Sequence, residues 1–198
     1  MLIGLTGYAQ HGKDTVANTL VEEFGYHRVG FADALKNLAY LVNPYIPHPI
    51  PTGDPLADQY KADMLFRLAA LVDVRGWEWA KQNPEVRRVL QELGTSARTL
   101  IGTNVWVQAA ESAMLDTKKP VVISDVRFPN EADFIARHSG ELWRIVRINE
   151  DGTPYDNGIG TAHPSEAYVD SLPIKKLLVA WNVEQLQSVV HDIMRVPV

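Results

Sequence analysis

Gly7-Tyr8-Ala9-Gln10-His11-Gly12-Lys13-Asp14-Thr15 places two glycines four residues apart, with a lysine directly after the second. That spacing suits a loop that wraps a phosphate. Glycines let the backbone curl so that successive N–H groups face one anion, and a following helix adds partial positive charge. Lys13 then reaches the terminal phosphates of a nucleotide as a point charge. Gly7, His11, Gly12, Lys13, Asp14 and Thr15 are therefore the candidate residues for binding ATP, with His11 filling a variable position. Asp14 stands where such loops carry a Ser or Thr whose hydroxyl binds Mg²⁺. A carboxylate there either holds the ion through its water shell, because Mg²⁺ dehydrates reluctantly, or only stabilises the helix start. Thr15 offers a hydroxyl nearer the inner phosphates. The plain alternative for the whole segment is a glycine turn with a solvated lysine.

A second chemical signal is Val121-Val122-Ile123-Ser124-Asp125, an apolar run ending in a carboxylate. At the end of a central strand Asp125 would orient Mg²⁺, directly or through water. Val126 and Arg127 follow, with no Glu to activate water, which favours transfer over hydrolysis. Arg127 becomes a candidate phosphate clamp; the bland alternative is an Asp125–Arg127 pair fixing the next helix. Lys13, Asp125 and Arg127 form the candidate catalytic set, with Asp14 and Asp125 the candidate metal ligands.

Weaker candidates are scattered. Asp33 and Lys36 follow the second strand and would face an acceptor, or are simply a helix-start charge and a solvated lysine. Arg98 reads as lying in a turn between helices, and its planar fork suits a monophosphate dianion. Trp106 either walls a base pocket or packs in the core. Arg144 and Arg147, three apart on one strand, point to opposite faces, and Arg147 near the carboxyl end is the better phosphate ligand. His163 and Glu166 follow a glycine-rich loop and either anchor it or open a helix.

Positioning these residues takes strands and helices in alternation. Strands are expected at Leu2–Thr6, Tyr26–Phe31, Val121–Ser124, Leu142–Ile148 and Leu177–Trp181. A helix from about Lys13 puts Val16, Leu20 and Phe24 on one face, and another carries Leu35, Leu38 and Leu41. A mostly helical middle runs from Pro55 to Asp116. A helix enters through Pro129 and closes near Gly140. The last helix starts with Asn182 and Gln185 in a capping-box-like arrangement and aligns Leu186, Val189, Val190, Ile193 and Met194. Two long loops interrupt this order: Asn43 to Pro55, with five prolines, and Asn149 to Pro164. Both exceed usual connection lengths, which makes them candidates for functional loops or lids. The pattern is α/β: a five-stranded, mostly parallel sheet with helices on both faces, whose ligands sit beyond the carboxyl ends of the strands.

Composition narrows the class. The chain has 198 residues, enough for one domain with inserted substructures. It has no cysteine, which excludes disulfides and cysteine-ligated zinc and fits a cytoplasmic location. Net charge is −5 and the basic residues are scattered, so no nucleic-acid partner is expected. No apolar run is long enough for a membrane span.

The residues resemble a known family. Gly12-Lys13-Asp14-Thr15-Val16-Ala17, then Phe31-Ala32-Asp33-Ala34-Leu35-Lys36, are similar to motifs of the bacteriophage-type deoxynucleoside monophosphate kinases. Gln91-Glu92-Leu93-Gly94-Thr95 with Arg98 and Trp106 extend the match, as do Ser124 through Ala132 and His163-Pro164-Ser165-Glu166. The motifs span most of the chain in the family's order. One departure is Gln10, where a glycine usually stands two before Gly12. The resemblance implies a three-layer P-loop kinase fold in a single domain over 1–198. About 43–116 would be a helical substrate-binding insertion and about 149–164 a lid-like loop. It implies ATP- and Mg²⁺-dependent phosphorylation of a deoxynucleoside monophosphate, with Asp33, Lys36, Arg98, Trp106, Arg127, Arg147 and Glu166 as substrate residues. A phage-encoded enzyme would work in the host cytoplasm, and a homodimer is one possible assembly. Rival readings are a kinase of another phosphorylated acceptor, of coenzyme A precursor or phosphomevalonate type, and a nucleotide-binding module without transfer activity.

Overall fold

The computed structural model describes residues 1–47, 65–156 and 167–195. The strands are β1 (Leu2–Thr6), β2 (His27–Val29), β3 (Tyr45–Pro47), β4 (Leu65–Arg67), β5 (Val121–Ile123), β6 (Glu141–Arg147) and β7 (Lys176–Ala180). The helices are α1 (Lys13–Phe24), α2 (Asp33–Val42), α3 (Leu68–Ala80), α4 (Pro84–Leu100), α5 (Val105–Leu115), α6 (Pro129–Arg137) and α7 (Val183–Arg195). They group into two compact units, one of Met1–Phe31 with Val107–Val198 and one of Ala32–Trp106.

The first unit is built on a parallel sheet in the order β2-β5-β1-β6-β7. β1 is buried at every position, as a strand paired on both edges and covered on both faces requires. Its alternate residues enter two different cores. Leu2 joins Val121, Ile123 and Leu142 beneath Phe134 and Ile135 of α6 and Val107 and Ala110 of α5. Ile3 and Leu5 join Val122, Trp143, Ile145 and Leu178 beneath Val16 and Leu20 of α1 and Leu186 and Val190 of α7. The result is a three-layer α/β fold, a five-stranded parallel sheet with helices on both faces, as the sequence pattern predicts. Strand order reverses at β1, so the crevice beyond its carboxyl end is the natural ligand site of this topology.

Local signals set the helix boundaries. α1 ends at Gly25, which takes the left-handed conformation (φ 71°) and returns its N–H to Leu20. α7 opens with the expected reciprocal pair: Asn182 Oδ1 accepts from Gln185 N–H and Gln185 Oε1 accepts from Trp181 N–H.

The second unit holds α2, α3, α4 and an antiparallel pair, β3 with β4. Its core is Ala39, Ile46, Leu68, Leu71, Ala80 and Val86. The pair corrects two expectations at once. Tyr45–Pro47 lies in the expected proline loop and Leu65–Arg67 in the expected helical stretch, yet they form a short ladder with Ile46 buried opposite Phe66. Arg67 covers the Tyr45 ring at 3.8 Å from its centroid, a pairing across some twenty residues that local propensity does not report. The rest of the expected loop and helix, 48–64, lies outside the described residues, as do 157–166 with His163 and Glu166.

Phe134 is 1% exposed at the centre of the α6 face, whereas Leu41 on α2 is 78% exposed. Phe134→Ala is expected to cost about 3–5 kcal/mol in urea unfolding, and Leu41→Ala to stay within about 0.5 kcal/mol of the parent.

Candidate active site

The loop between β1 and α1 is pressed against the sheet. A Cβ on Gly7, which has φ 140°, would sit 2.5 Å from the Ile145 carbonyl oxygen of β6, and one on Gly12 (φ 97°) 2.6 Å from Leu186 Cδ2 of α7. Only glycine allows both the approach and the torsion. The first intrahelical bond runs from Val16 N–H to the Gly12 carbonyl at 3.1 Å, so the amides just before it face out of the helix end. Lys13 folds into the curl and its ammonium donates to the carbonyls of Gly7 and Tyr8, each at 2.7 Å. A cradle of glycines around a lysine at a helix start is chemically suited to a polyphosphate.

Gln10 shows what the unusual residue does to the loop. Its φ of 64° lies in the left-handed region, the conformation for which glycine is preferred. The chain therefore keeps the backbone shape and carries the strain of a side chain.

Other loop side chains act as struts. The half-buried Tyr8 donates its hydroxyl to Asp170 Oδ2 at 2.6 Å, and Asp170 Oδ1 is paired with Arg144. His11 is buried and its Nδ1 accepts the Arg147 amide at 3.2 Å, which leaves the proton on Nε2 in the neutral ring. The Arg147 guanidinium lies over the Tyr155 ring, 4.0 Å from its centroid, and that ring is edge-on to His11. Arg144 and Arg147 thus do take opposite faces of β6.

Asp125 sits just past β5, and its Oδ1 accepts the Phe31 amide at 2.8 Å. The carboxylate joins the ends of two adjacent strands. Arg127 is half-buried, and its amide and that of Phe128 donate to Glu131 Oε2 at 2.7 and 3.1 Å. Glu131, 2% exposed, therefore fixes the backbone from which Arg127 projects. Asp14 is 79% exposed and pairs with Arg28 Nη2 at 2.5 Å. Among the described residues no group of three His, Asp or Glu side chains could hold a metal. Mg²⁺ on a nucleotide needs only one or two protein oxygens beside phosphate and water. Of the two candidate ligands, Asp125 lies at the strand end and Asp14 is engaged by an arginine.

Gly7, His11, Gly12, Lys13, Asp14, Thr15, Asp125, Arg127 and Arg147 all belong to the sheet-containing unit; Asp33, Lys36, Arg98 and Trp106 belong to the helical one. Asp33 lies in the first turn of α2 and pairs with Lys36 at 3.3 Å. Arg98 corrects the expectation of a turn. It lies in the last turn of α4, which runs straight through Gly94, because a Cβ there would be only 3.1 Å from Leu35 Cδ2. That glycine lets two helices approach and does not break one. Trp106 is buried and its indole N–H donates to the Gly94 carbonyl at 3.1 Å, the packing role.

No family model matches the chain. A curated protein of Acanthamoeba polyphaga mimivirus, named "Putative deoxynucleotide monophosphate kinase", is 28% identical over 210 residues, covering 95% of this chain and 93% of that protein. The sequence likeness runs the length of the chain. Solved shikimate kinases from Aquifex aeolicus and Bacteroides thetaiotaomicron align over 98% and 99% of this chain and 94% and 99% of theirs, at 11% identity, with TM-scores of 0.41 and 0.40. Values that low decide nothing about the chemistry of this chain.

Sequence reasoning passed over Arg28, Glu131, Tyr155 and Asp170. Only Glu131 had a local signal, three residues past the helix N-cap, and Phe128 at that cap hid it. The other three reach across 14 residues or more to their partners.

Two outcomes follow from the loop. Gln10→Gly is expected to raise stability by roughly 0.5–1 kcal/mol, the left-handed strain relieved less the entropy a glycine adds to the unfolded chain, read from the urea midpoint. The Asp170 carboxyl is held below its ordinary range, chiefly by the Tyr8 hydroxyl; burial opposes this, and the Arg144 hydrogen bond and charge add to it. A depressed folded value stabilises above the unfolded value and is lost as pH falls through the folded one. The stability gap between the parent and Asp170→Asn should therefore be present at neutral pH and close only as the pH falls below the ordinary aspartate range.

Proposed function

We propose that the chain transfers the γ-phosphoryl group of ATP to the phosphate of a deoxynucleoside monophosphate, giving the diphosphate and ADP. The observation that carries this reading is the Lys13 ammonium seated 2.7 Å from the Gly7 and Tyr8 carbonyls, inside a glycine loop at the carboxyl end of β1. The name of the mimivirus relative supports the acceptor class.

A phosphate oxygen of the acceptor attacks the γ-phosphorus in line as the bond to the β–γ bridging oxygen breaks, and ADP leaves with the electron pair. The acceptor oxygen is already ionised at neutral pH, so no strong general base is required. Catalysis is then a matter of position and charge. Lys13 and the loop amides hold the donor's terminal phosphates, and Arg127 and Arg147 offer guanidinium groups to charge that develops on the transferring group. Mg²⁺, when bound, would neutralise phosphate oxygens as a Lewis acid, with Asp125 the residue that would hold it and the Thr15 hydroxyl left to the inner phosphates. Asp33, Lys36 and Arg98 in the helical unit and Glu166 are the further proposed acceptor contacts. The residues around 43–116 are the proposed substrate-binding region, and those around 149–164 the proposed lid.

Lys13→Ala is expected to lower kcat about 10²- to 10³-fold with the far-UV spectrum and melting profile of the parent. Diphosphate formation would be measured with ATP across a panel of deoxynucleoside and other small monophosphates. Near-normal turnover by the folded variant, or no turnover of any deoxynucleoside monophosphate by the parent, would refute the assignment.

A further inference from the structure

Asp14 puts a negative charge one residue beyond Lys13, in the first turn of α1, where an anion held by the preceding amides also belongs. The structure sets an arginine against it. Arg28, in the middle of edge strand β2, donates from Nη2 to Asp14 Oδ1 at 2.5 Å, from Nη1 to Asn18 Oδ1 at 3.4 Å and from Nε to Ser124 Oγ at 3.0 Å. Ser124 is buried and directly precedes Asp125. One planar guanidinium thus ties the first turns of α1 to the end of β5, the two segments that carry the candidate phosphate and metal groups. Lysine, with a single compact ammonium, lacks the fork to reach three acceptors in this way.

We propose that Arg28 is a positioning residue of the phosphate site: it turns the Asp14 carboxylate aside and cancels its charge, so that a triphosphate can occupy a loop with an acidic residue in the usual hydroxyl position. The proposal rests on reading the loop as an ATP site. It also assigns Asp14 a role other than ion binding, since a carboxylate bonded at 2.5 Å to a guanidinium is already satisfied by a cation. A unit charge at the distance of a neighbouring helix residue changes anion affinity by about 3- to 30-fold, depending on the local dielectric. Arg28 and Asp14 are 41% and 79% exposed, which puts the effect toward the lower end.

The test is equilibrium ATP binding by calorimetry, with Mg²⁺ and in EDTA, for the parent, Arg28→Ala, Asp14→Asn and the double variant, each checked for its melting temperature. Arg28→Ala is expected to weaken binding about 5- to 10-fold in both conditions, and Asp14→Asn to tighten it about 2- to 5-fold. The double variant should return to within about 3-fold of the parent, and all differences should shrink with added salt. A merely structural arginine predicts weakening that Asp14→Asn does not rescue, and that result overturns the proposal. So does parent-like affinity in Arg28→Ala, or an Asp14→Asn variant that loses binding only when Mg²⁺ is present, which would make Asp14 an ion ligand. If the parent binds no ATP in either condition, the reading of the loop itself fails; if the parent binds and only these variants misbehave, the failure is confined to Arg28.

Discussion

Between Gly7 and the Ile145 carbonyl there is room for a hydrogen and nothing more, while Gly12 lies against the Leu186 side chain and needs glycine for its φ of 97°. The loop that would hold phosphate is therefore shaped from outside, by β6 on one side and α7 on the other. Both neighbours belong to the core beneath Ile3, Leu5 and Trp143, so the packing that stabilises the fold also fixes the curvature of the loop. A cradle made this way needs little reorganisation when charge arrives, which is the condition for fixed dipoles to stabilise an anion strongly. It also explains why a non-glycine residue survives at Gln10: the neighbours impose the left-handed turn, and the side chain yields to it.

The same crowding gives the loop's side chains work of their own. The half-buried Tyr8 and the buried His11 both reach to other segments of the sheet-containing unit. They are bonded to Asp170 and to the Arg147 amide. Positions that a motif leaves variable are here the ones that tie the loop to β6 and to the residues flanking 157–166. Their identities follow from this chain's packing and carry no information about phosphate chemistry.

That division accounts for what the sequence could tell. Elements that rest on local pattern were legible: the apolar run of β1, the amphipathic α1 and α7, the Asn182–Gln185 cap, and the glycine–lysine spacing. What escaped depends on partners distant in the chain. The β3–β4 pair needs Tyr45 and Arg67 to meet, and nothing near either residue says so. Gly94 reads as a helix stop because glycine usually costs a helix about 1 kcal/mol, and only the presence of Leu35 shows why the cost is borne. Nothing near Arg28 in the chain marks it, because its partners Asp14, Asn18 and Ser124 lie on other elements.

Arg144 and Arg147 show how far geometry refines a choice that periodicity only framed. Both project from β6, Arg144 at its middle and Arg147 at its carboxyl end, and both are partly covered. Arg144 is paired with the Asp170 carboxylate, so a second anion would have to compete with the first. Arg147 is held instead over the Tyr155 ring. A ring face orients a guanidinium through its quadrupole without neutralising it, and among the described residues no carboxylate is paired with Arg147. A cation that is positioned yet uncancelled is what a phosphate ligand requires in a chain whose net charge is −5. The preference for Arg147 over Arg144 therefore rests on the chemistry of the partner each one has, and the strand alternation that separated them is only what gave them different partners.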